Sequence, residues 1–428
     1  MPVAVRGEGA YIYDADGKSY LDGSGGAAVS CLGHSDPDVI AAIKAQVDLL
    51  DFAHTGFLTS RPAEELARKL IEHAPEGIER VYLVSGGSEA VEAALKLSRQ
   101  YMLEIGQPKR TRFIARRQSY HGNTLGALGT GGNMWRRAPF DSVMVSASHI
   151  APCYAYRDQH DGESVEEYGL RVANELETEL QRVGSDTVIG FLAEPVVGAT
   201  AGAVPAVKGY FRRIREICDK YGILLILDEV MCGMGRTGTF FACEHDDVRP
   251  DIITIAKGLG AGYQPIGAML CSGAIYQAIE NGSGFFQHGH TYLGHPVACA
   301  AANAVVEKLT GGGMVKQAAA RGKYLETALK AAFEQHPHVG DIRGRGMFQA
   351  LEFVVNRETK TPFAPEKKVA ARLKMVAMKN GLICYPMNGT IDGQRGDHVL
   401  LAPPFISTEA QIDELIEKLS CSLDETLG

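Results

Sequence analysis

Three residues of this chain stand where chemistry is easily assembled. Glu194 follows Thr187-Val-Ile-Gly-Phe-Leu-Ala193, Asp228 follows Gly222-Ile-Leu-Leu-Ile-Leu227, and Lys257 follows Asp251-Ile-Ile-Thr-Ile-Ala256. Each is a charged residue at the carboxyl end of a short apolar run that reads as a buried strand. In an open sheet covered by helices, ligands sit beyond the carboxyl ends of the strands. The three side chains can therefore meet in one crevice, although Asp228 and Lys257 are 29 positions apart. One charged residue after a strand is ordinarily a solvated loop residue; three in succession on buried strands point to a site. A lysine placed there can condense with a carbonyl group or carry a proton, once burial or nearby positive charge has lowered its pKa.

Two further segments fit that chemistry. Val84-Ser-Gly-Gly-Ser-Glu-Ala90 lies between a predicted strand and a predicted helix. Gly86 and Gly87 allow an anion to approach the backbone, and the free N–H groups and dipole of a helix start favour a phosphate. A plain strand-to-helix turn with Ser88 as N-cap is the alternative. The segment is neither a Walker A loop nor a complete G-x-G-x-x-G, so it does not imply a nucleotide. Gln118-Ser-Tyr-His-Gly-Asn123 places Tyr120 and His121 beside a glycine, and Tyr120 could stack on a planar ligand. Gly289-His-Thr-Tyr-Leu-Gly-His-Pro296 is another polar, glycine-framed loop, with Thr291 as a hydroxyl donor. A lysine for an aldehyde, a carboxylate for a pyridinium nitrogen, an anion cradle and an aromatic wall together suit pyridoxal phosphate. Asp228 would keep the ring nitrogen protonated through a charge-assisted bond, so that the ring accepts electrons from a Cα carbanion.

The elements that must hold these residues follow from periodicity. Tyr11 to Leu21 alternates around Asp16-Gly17 and predicts a hairpin. Helices are expected over 37–50 and 64–73. From Val81 onward, short β-branched and leucine-rich runs alternate with helical stretches, among them 89–102 and 210–221. Strands that are apolar on both faces, alternating with helices, imply a mainly parallel sheet in an α/β fold. After Gly312 the pattern changes to a long helix (314–335), the segment 340–353, a helix over 366–380, short strands and a last helix over 409–419. This reads as a smaller α+β domain. The expected division is 1–50 and 313–428 for the small domain and 51–312 for the large one.

Composition narrows the function classes. The 428 residues are 45% hydrophobic and 22% charged, with a net charge of -8, which suits a globular protein with a large core. No Lys/Arg run forms a basic face, so nucleic acid is not the expected partner. Nine cysteines without a C-x-x-C pair suggest free thiols in a reducing compartment, and no metal site. The opening residues lack a signal-peptide pattern and no apolar run approaches a membrane span, so a soluble cytoplasmic protein is expected.

With these residues in view, the chain resembles the class III (omega-type) aminotransferases of fold-type I. The resemblance rests on Ser85-Gly-Gly-Ser-Glu-Ala90, Tyr120-His-Gly122, Glu194-Pro195, Leu227-Asp-Glu-Val-Met-Cys-Gly-Met-Gly-Arg-Thr-Gly238, Pro250-Asp-Ile-Ile-Thr-Ile-Ala-Lys-Gly-Leu-Gly260 and Thr291-Tyr-Leu-Gly-His-Pro296. It runs over nearly the whole chain. It implies Lys257 as the Schiff-base lysine, Asp228 as the partner of the ring nitrogen, Val230 and Tyr120 on the two ring faces, and Gly86, Gly87 and Ser88 as the phosphate cradle. It also implies a homodimer in which Thr291 reaches the neighbouring subunit's phosphate, and it matches Glu194 to a pocket glutamate. Relatives acting on ornithine, acetylornithine or 4-aminobutyrate carry an arginine where this chain has Leu400. Amine and amino acid–pyruvate enzymes use a mobile arginine on the preceding loop, near which Arg395 falls; an ordinary exposed loop residue is the alternative for it. The implied reaction is ping-pong transfer from an amine or ω-amino acid to pyruvate. Phe57 and His54 fall in a region that lines the substrate pocket in relatives, with core packing as the alternative. Decarboxylation-dependent transamination, aminomutation or epimerisation on the same fold are the rival reactions, and a non-catalytic regulator is the rival from another class.

Overall fold

A computed structural model describes residues 1–428. Its central sheet has seven strands, in the spatial order Ile78–Val84, Gly267–Ser272, Ile252–Ile255, Leu224–Asp228, Val188–Ala193, Arg112–Arg116 and Ala147–Ile150. Neighbours pair in parallel except at Gly267–Ser272, which runs antiparallel to both strands beside it. The mainly parallel α/β sheet is present as expected. The antiparallel strand arises because the chain turns back after Lys257 without a crossover helix, a connection open only to antiparallel neighbours.

Alternate residues of the inner strands serve opposite faces of the sheet. Leu192, Leu224, Ile226 and Ile252 share one apolar cluster with Val91, Ala94 and Leu95 of the helix Gly87–Glu104. Phe191, Leu225, Leu227, Ile253 and Ile255 belong to the other face. There they join Tyr168, Val172 and Leu176 of Val165–Val183 and Phe211, Ile214 and Ile217 of Tyr210–Tyr221. Both faces are covered, so the strands read as unbroken apolar runs rather than alternating ones. Burying each Leu or Ile contributes about 1.5–3 kcal/mol.

The N-terminal hairpin forms where Asp16-Gly17 predicted it: Tyr11–Asp14 pairs antiparallel with Ser19–Asp22, and Gly17 takes φ +82° in the turn. Ser19–Asp22 then pairs in parallel with Leu382–Ile383, tying the first residues to the last third of the chain. A second small sheet has the order Val339–Arg345, Phe348–Phe353, Asp397–Leu401, Tyr385–Asn388. Helices Met314–Phe333, Val369–Lys379 and Glu409–Leu427 accompany these strands.

A buried ionic cluster joins this sheet to the large one. Glu352, fully buried, accepts from Arg157 Nε at 2.8 Å and from Arg343 Nη1 at 2.7 Å, and also takes a hydrogen bond from the Tyr154 hydroxyl. Arg343 also donates to the carbonyl of Gly202 at 2.7 Å. Burial alone would push the Glu352 carboxyl up, but Arg343, Arg157 and Tyr154 outweigh it and hold it below the ordinary glutamate range. Its ionised form therefore stabilises the fold fully above the unfolded glutamate pKa, roughly 4.3, and that contribution is lost as pH falls through the lower folded value. Glu352→Gln is expected to cost about 2 kcal/mol at pH 7 by weakening bonds to two cations. In urea melts, the gap between variant and wild-type midpoints should narrow as pH drops below about 4.

Candidate active site

Strand register brings the three chemical residues together. Leu227 lies opposite Ala193, and Asp228 lies opposite Thr254. Glu194 is the residue after Ala193, and Lys257 comes two residues after Ile255, so all three emerge from adjacent strands at one sheet edge. A cavity of about 510 Å³ opens there. Gly86, Gly87, Ser88, Tyr120, His121, Glu194, Asp228, Val230 and Lys257 all line it.

Asp228 is buried and held on three sides. Its Oδ1 accepts from the Val230 N–H at 3.0 Å and from the Thr254 hydroxyl at 3.3 Å, and its Oδ2 lies 2.7 Å from His121 Nδ1. A carboxylate fixed in this way keeps its orientation in a dry site. His121 Nε2 is buried without a partner. The neighbouring Glu229 serves a different purpose: its carboxylate accepts the backbone N–H groups of Ala242, at 2.5 Å, and Cys243, at 2.8 Å. Glu194 is likewise occupied, by the N–H of Tyr120 at 3.1 Å and that of Gly198 at 2.8 Å.

Lys257 is half-buried and adopts φ +46°, a left-handed conformation rare for a side chain of this kind. Such strain costs about 1–3 kcal/mol and persists where the surrounding structure enforces it, often at functional sites. Burial pulls the Lys257 ammonium down to about 8, against the opposing pull of Asp228 and Glu194. An amine with that pKa is neutral in roughly one molecule in ten at pH 7, against fewer than about one in a thousand for an ordinary lysine. Capture of pyridoxal phosphate by the apoenzyme should therefore accelerate about tenfold per pH unit up to about pH 8 and then level off. Stopped-flow absorbance would follow it; a rise continuing to pH 10 would contradict the desolvation of this lysine.

The anion cradle is built from backbone. Gly86, not Ser88, is the N-cap of Gly87–Glu104, and no side chain caps that helix start. The alternative of Ser88 as N-cap therefore does not hold: Ser88 lies inside the first turn, and its Oγ accepts the Asn123 N–H at 3.1 Å. The hydroxyl proton remains to be donated. Gly87 is required by proximity, since a Cβ there would meet Val230 Cγ1 at 2.9 Å. An uncapped helix start, a lysine of lowered pKa, a fixed carboxylate across the cavity and a tyrosine wall fit the phosphate, aldehyde, ring nitrogen and ring of pyridoxal phosphate.

Four expected site residues lie elsewhere. Thr291, Phe57, His54 and Arg395 do not line the cavity of the single chain. Thr291, Phe57 and His54 are exposed, and Phe52 packs edge-on against Tyr292 at 5.6 Å, which places the 52–58 and 288–295 segments side by side on one surface. Arg395 is exposed and its Nε donates to Asp392 at 2.7 Å. Conversely, the sequence reading omitted Arg136, Tyr385 and Gln264, which line the cavity, and Thr254, which holds Asp228. Only Arg136 carried a visible signal: it is one of two adjacent arginines following an exposed Trp135.

Comparison with known proteins agrees with this geometry. The family profile described as "Aminotransferase class-III" matches residues 1–423. An uncharacterised aminotransferase of Schizosaccharomyces pombe is 47% identical over 428 residues, covering 100% of this chain and 93% of its own. Among solved structures, an (S)-enantioselective omega-transaminase of Thermomicrobium roseum superposes with a TM-score of 0.94 at 38% identity, covering 100% of this chain and 93% of that one. A PMP-bound aminotransferase of Vibrio fluvialis gives a TM-score of 0.93 at 36% identity with the same coverage. The residues that converge at the sheet edge and these likenesses lead to one conclusion: the chain belongs to the class III aminotransferases of fold-type I, enzymes that depend on pyridoxal phosphate.

Proposed function

We propose that the enzyme moves an amino group from an amine or ω-amino acid to a keto acid, pyruvate in the first instance, by a ping-pong sequence at the cavity around Lys257. The observation that supports this most directly is the convergence of Lys257, Asp228 and the uncapped start of Gly87–Glu104 on one cavity. Pyridoxal phosphate supplies the aldehyde that takes up the amino group and the ring that accepts electrons as the Cα–H bond breaks. Lys257 Nζ would anchor the cofactor and, when free, would carry the proton away from substrate Cα, a role that its lowered pKa favours. Asp228 would hold a positive charge on the ring nitrogen, and His121, Thr254 and the Val230 N–H keep the carboxylate aimed. The first-turn N–H groups and the Ser88 hydroxyl would bind the phosphate. Val230 and Tyr120 would wall the ring.

The active unit proposed is a homodimer, with Thr291 contributed to the partner's phosphate site and Phe57 and His54 to the partner's substrate pocket. Large apolar side chains exposed on the single chain support it: Phe57, Leu58, Phe285 and Tyr292 are each more than half exposed. Patches of this kind mark association surfaces. Sedimentation should give twice the chain mass. No helix is long and apolar enough to cross a membrane, in keeping with the cytoplasmic location we propose.

The test is a panel of amines, β- and ω-amino acids and taurine, each paired with pyruvate and with 2-oxoglutarate. Alanine is the expected product with pyruvate. Glutamate formation alone would move the acceptor to 2-oxoglutarate. A donor that is isomerised or loses carbon dioxide, with no alanine or glutamate formed, would end the transaminase reading of the substrate cycle.

A further inference from the structure

The cavity contains one arginine, and no carboxylate of the fold pairs with it. Arg136 sits in the short helix Met134–Arg137 and its side chain lines the cavity beside Tyr120. Its guanidinium stacks over the Tyr120 ring at 4.8 Å and the Trp135 ring at 5.7 Å. Its backbone N–H is bonded to Asn133, but its side chain has no hydrogen-bond acceptor and no carboxylate partner. The nearby arginines are all engaged. Arg137 donates to the carbonyls of Leu128, Gly129 and Gly131. Arg116 is buried and donates to the backbone carbonyl of Glu194. Arg395 is tied to Asp392 in an exposed turn whose carboxylate also accepts the backbone N–H groups of Gln394 and Arg395.

Neither carboxylate of the cavity pairs with Arg136: Asp228 faces Val230, Thr254 and His121, and Glu194 accepts the N–H groups of Tyr120 and Gly198. What remains is a planar fork of donors, pre-oriented by two aromatic rings and turned into a half-dry cavity. That geometry matches a carboxylate, which a guanidinium binds through two parallel charge-assisted bonds. Stacking fixes the fork before the ligand arrives, so less orientational freedom is lost on binding.

We propose that Arg136 is the carboxylate-binding residue of this site. The substrate class is then a keto acid, and an amino acid in the donor phase, whose carboxylate is held at Arg136 while its carbonyl or amino group reaches Lys257. This assignment rests on the aminotransferase reading of the cavity, and it replaces Arg395 with a residue that is already in place. Donors without a carboxylate would not depend on Arg136, whereas the keto acid acceptor would.

The test compares holoenzyme of wild type, Arg136→Met, Arg136→Lys and Arg395→Met. L-Alanine and 2-aminopropane form a matched pair that differs by the carboxylate, and single-turnover transfer from each isolates the donor step. In Arg136→Met, kcat/KM for L-alanine is expected to fall about 100-fold while that for 2-aminopropane stays within about threefold. Arg136→Lys should recover part of the loss, since a point charge replaces the fork. Butanoate, which cannot donate an amino group, gives a second readout by calorimetry: its affinity should weaken at least about 30-fold in Arg136→Met. Equal losses for both donors would assign Arg136 to support of Tyr120 and overturn the proposal. So would an unchanged butanoate affinity, or a selective alanine loss in Arg395→Met instead. Should wild type transaminate neither donor, the functional reading fails by itself, and butanoate binding still decides the role of Arg136.

Discussion

Holoenzyme carrying Lys257→Ala is expected to transfer amino groups at least about 10⁴-fold more slowly than wild type, with its fold and its subunit association unchanged. Two losses combine in this variant. The cofactor is no longer anchored covalently, and no side chain remains to carry the proton between substrate and cofactor, a contribution of roughly 10²–10⁴-fold on its own. The two carboxylates of the cavity are already engaged. Glu194 is held by two backbone N–H groups, and Asp228 by Val230, Thr254 and His121. Small external amines should restore part of the rate, in proportion to their basicity. The absorbance band of the lysine-bound cofactor should be missing while dialysis-resistant cofactor persists. Near-normal turnover would remove Lys257 from the chemistry altogether.

Asp228→Asn is expected to lower kcat by about 10³-fold while leaving the backbone undisturbed. The substitution keeps the shape and removes the charge. The amide oxygen of this variant could still accept from Val230 and Thr254, but the amide could not hold a proton on the ring nitrogen, so the ring would accept electrons poorly. The exchange also disturbs His121. Its Nδ1 now faces a carboxylate at 2.7 Å and donates to it. Opposite an amide N–H that nitrogen would have to accept, which moves the imidazole proton to Nε2, a buried atom without a partner. Asp228→Glu should retain more activity than Asp228→Asn, because it preserves charge at the expense of position. Stopped-flow analysis of the donor half-reaction separates the effects: a charge defect slows proton removal, whereas a binding defect raises KM alone.

The legible part of this protein is the part whose signal is local. Asp228 and Lys257 stood out because each follows an apolar run that reads as a buried strand, whereas the register that sets Leu227 opposite Ala193 and Asp228 opposite Thr254 came only with the packed sheet. Asp16-Gly17 announced its hairpin for a similar reason, since the turn needs a residue at positive φ. Gly87 was legible as a close approach of backbone, although its neighbour Val230 was not. Elements without a distinctive period escaped. Gly267–Ser272 is apolar like its parallel neighbours, and nothing in its residues says that it runs the other way. Ser88 has the right type for an N-cap, but the chain enters the helix two residues earlier, at Gly86.

Arg136 and Arg137 show where local information ends. They are adjacent, identical in type and within one short helix, yet one is buried against three carbonyls and the other faces the cavity. A step of one residue turns a helix by about 100°, so neighbours face different surroundings that only the packed molecule supplies. Arg395 shows the converse: its position in the chain suggested a ligand, and a tight turn supplied Asp392 instead. The sequence by itself determined the sheet, the family and the residue types that gather at the cavity, because buried strands and the residues that follow them are written in local hydrophobic pattern. Only the tertiary structure decided which charged groups are already hydrogen-bonded and which remain available, because their partners are distant in the chain, as His121 is from Asp228 by 107 positions.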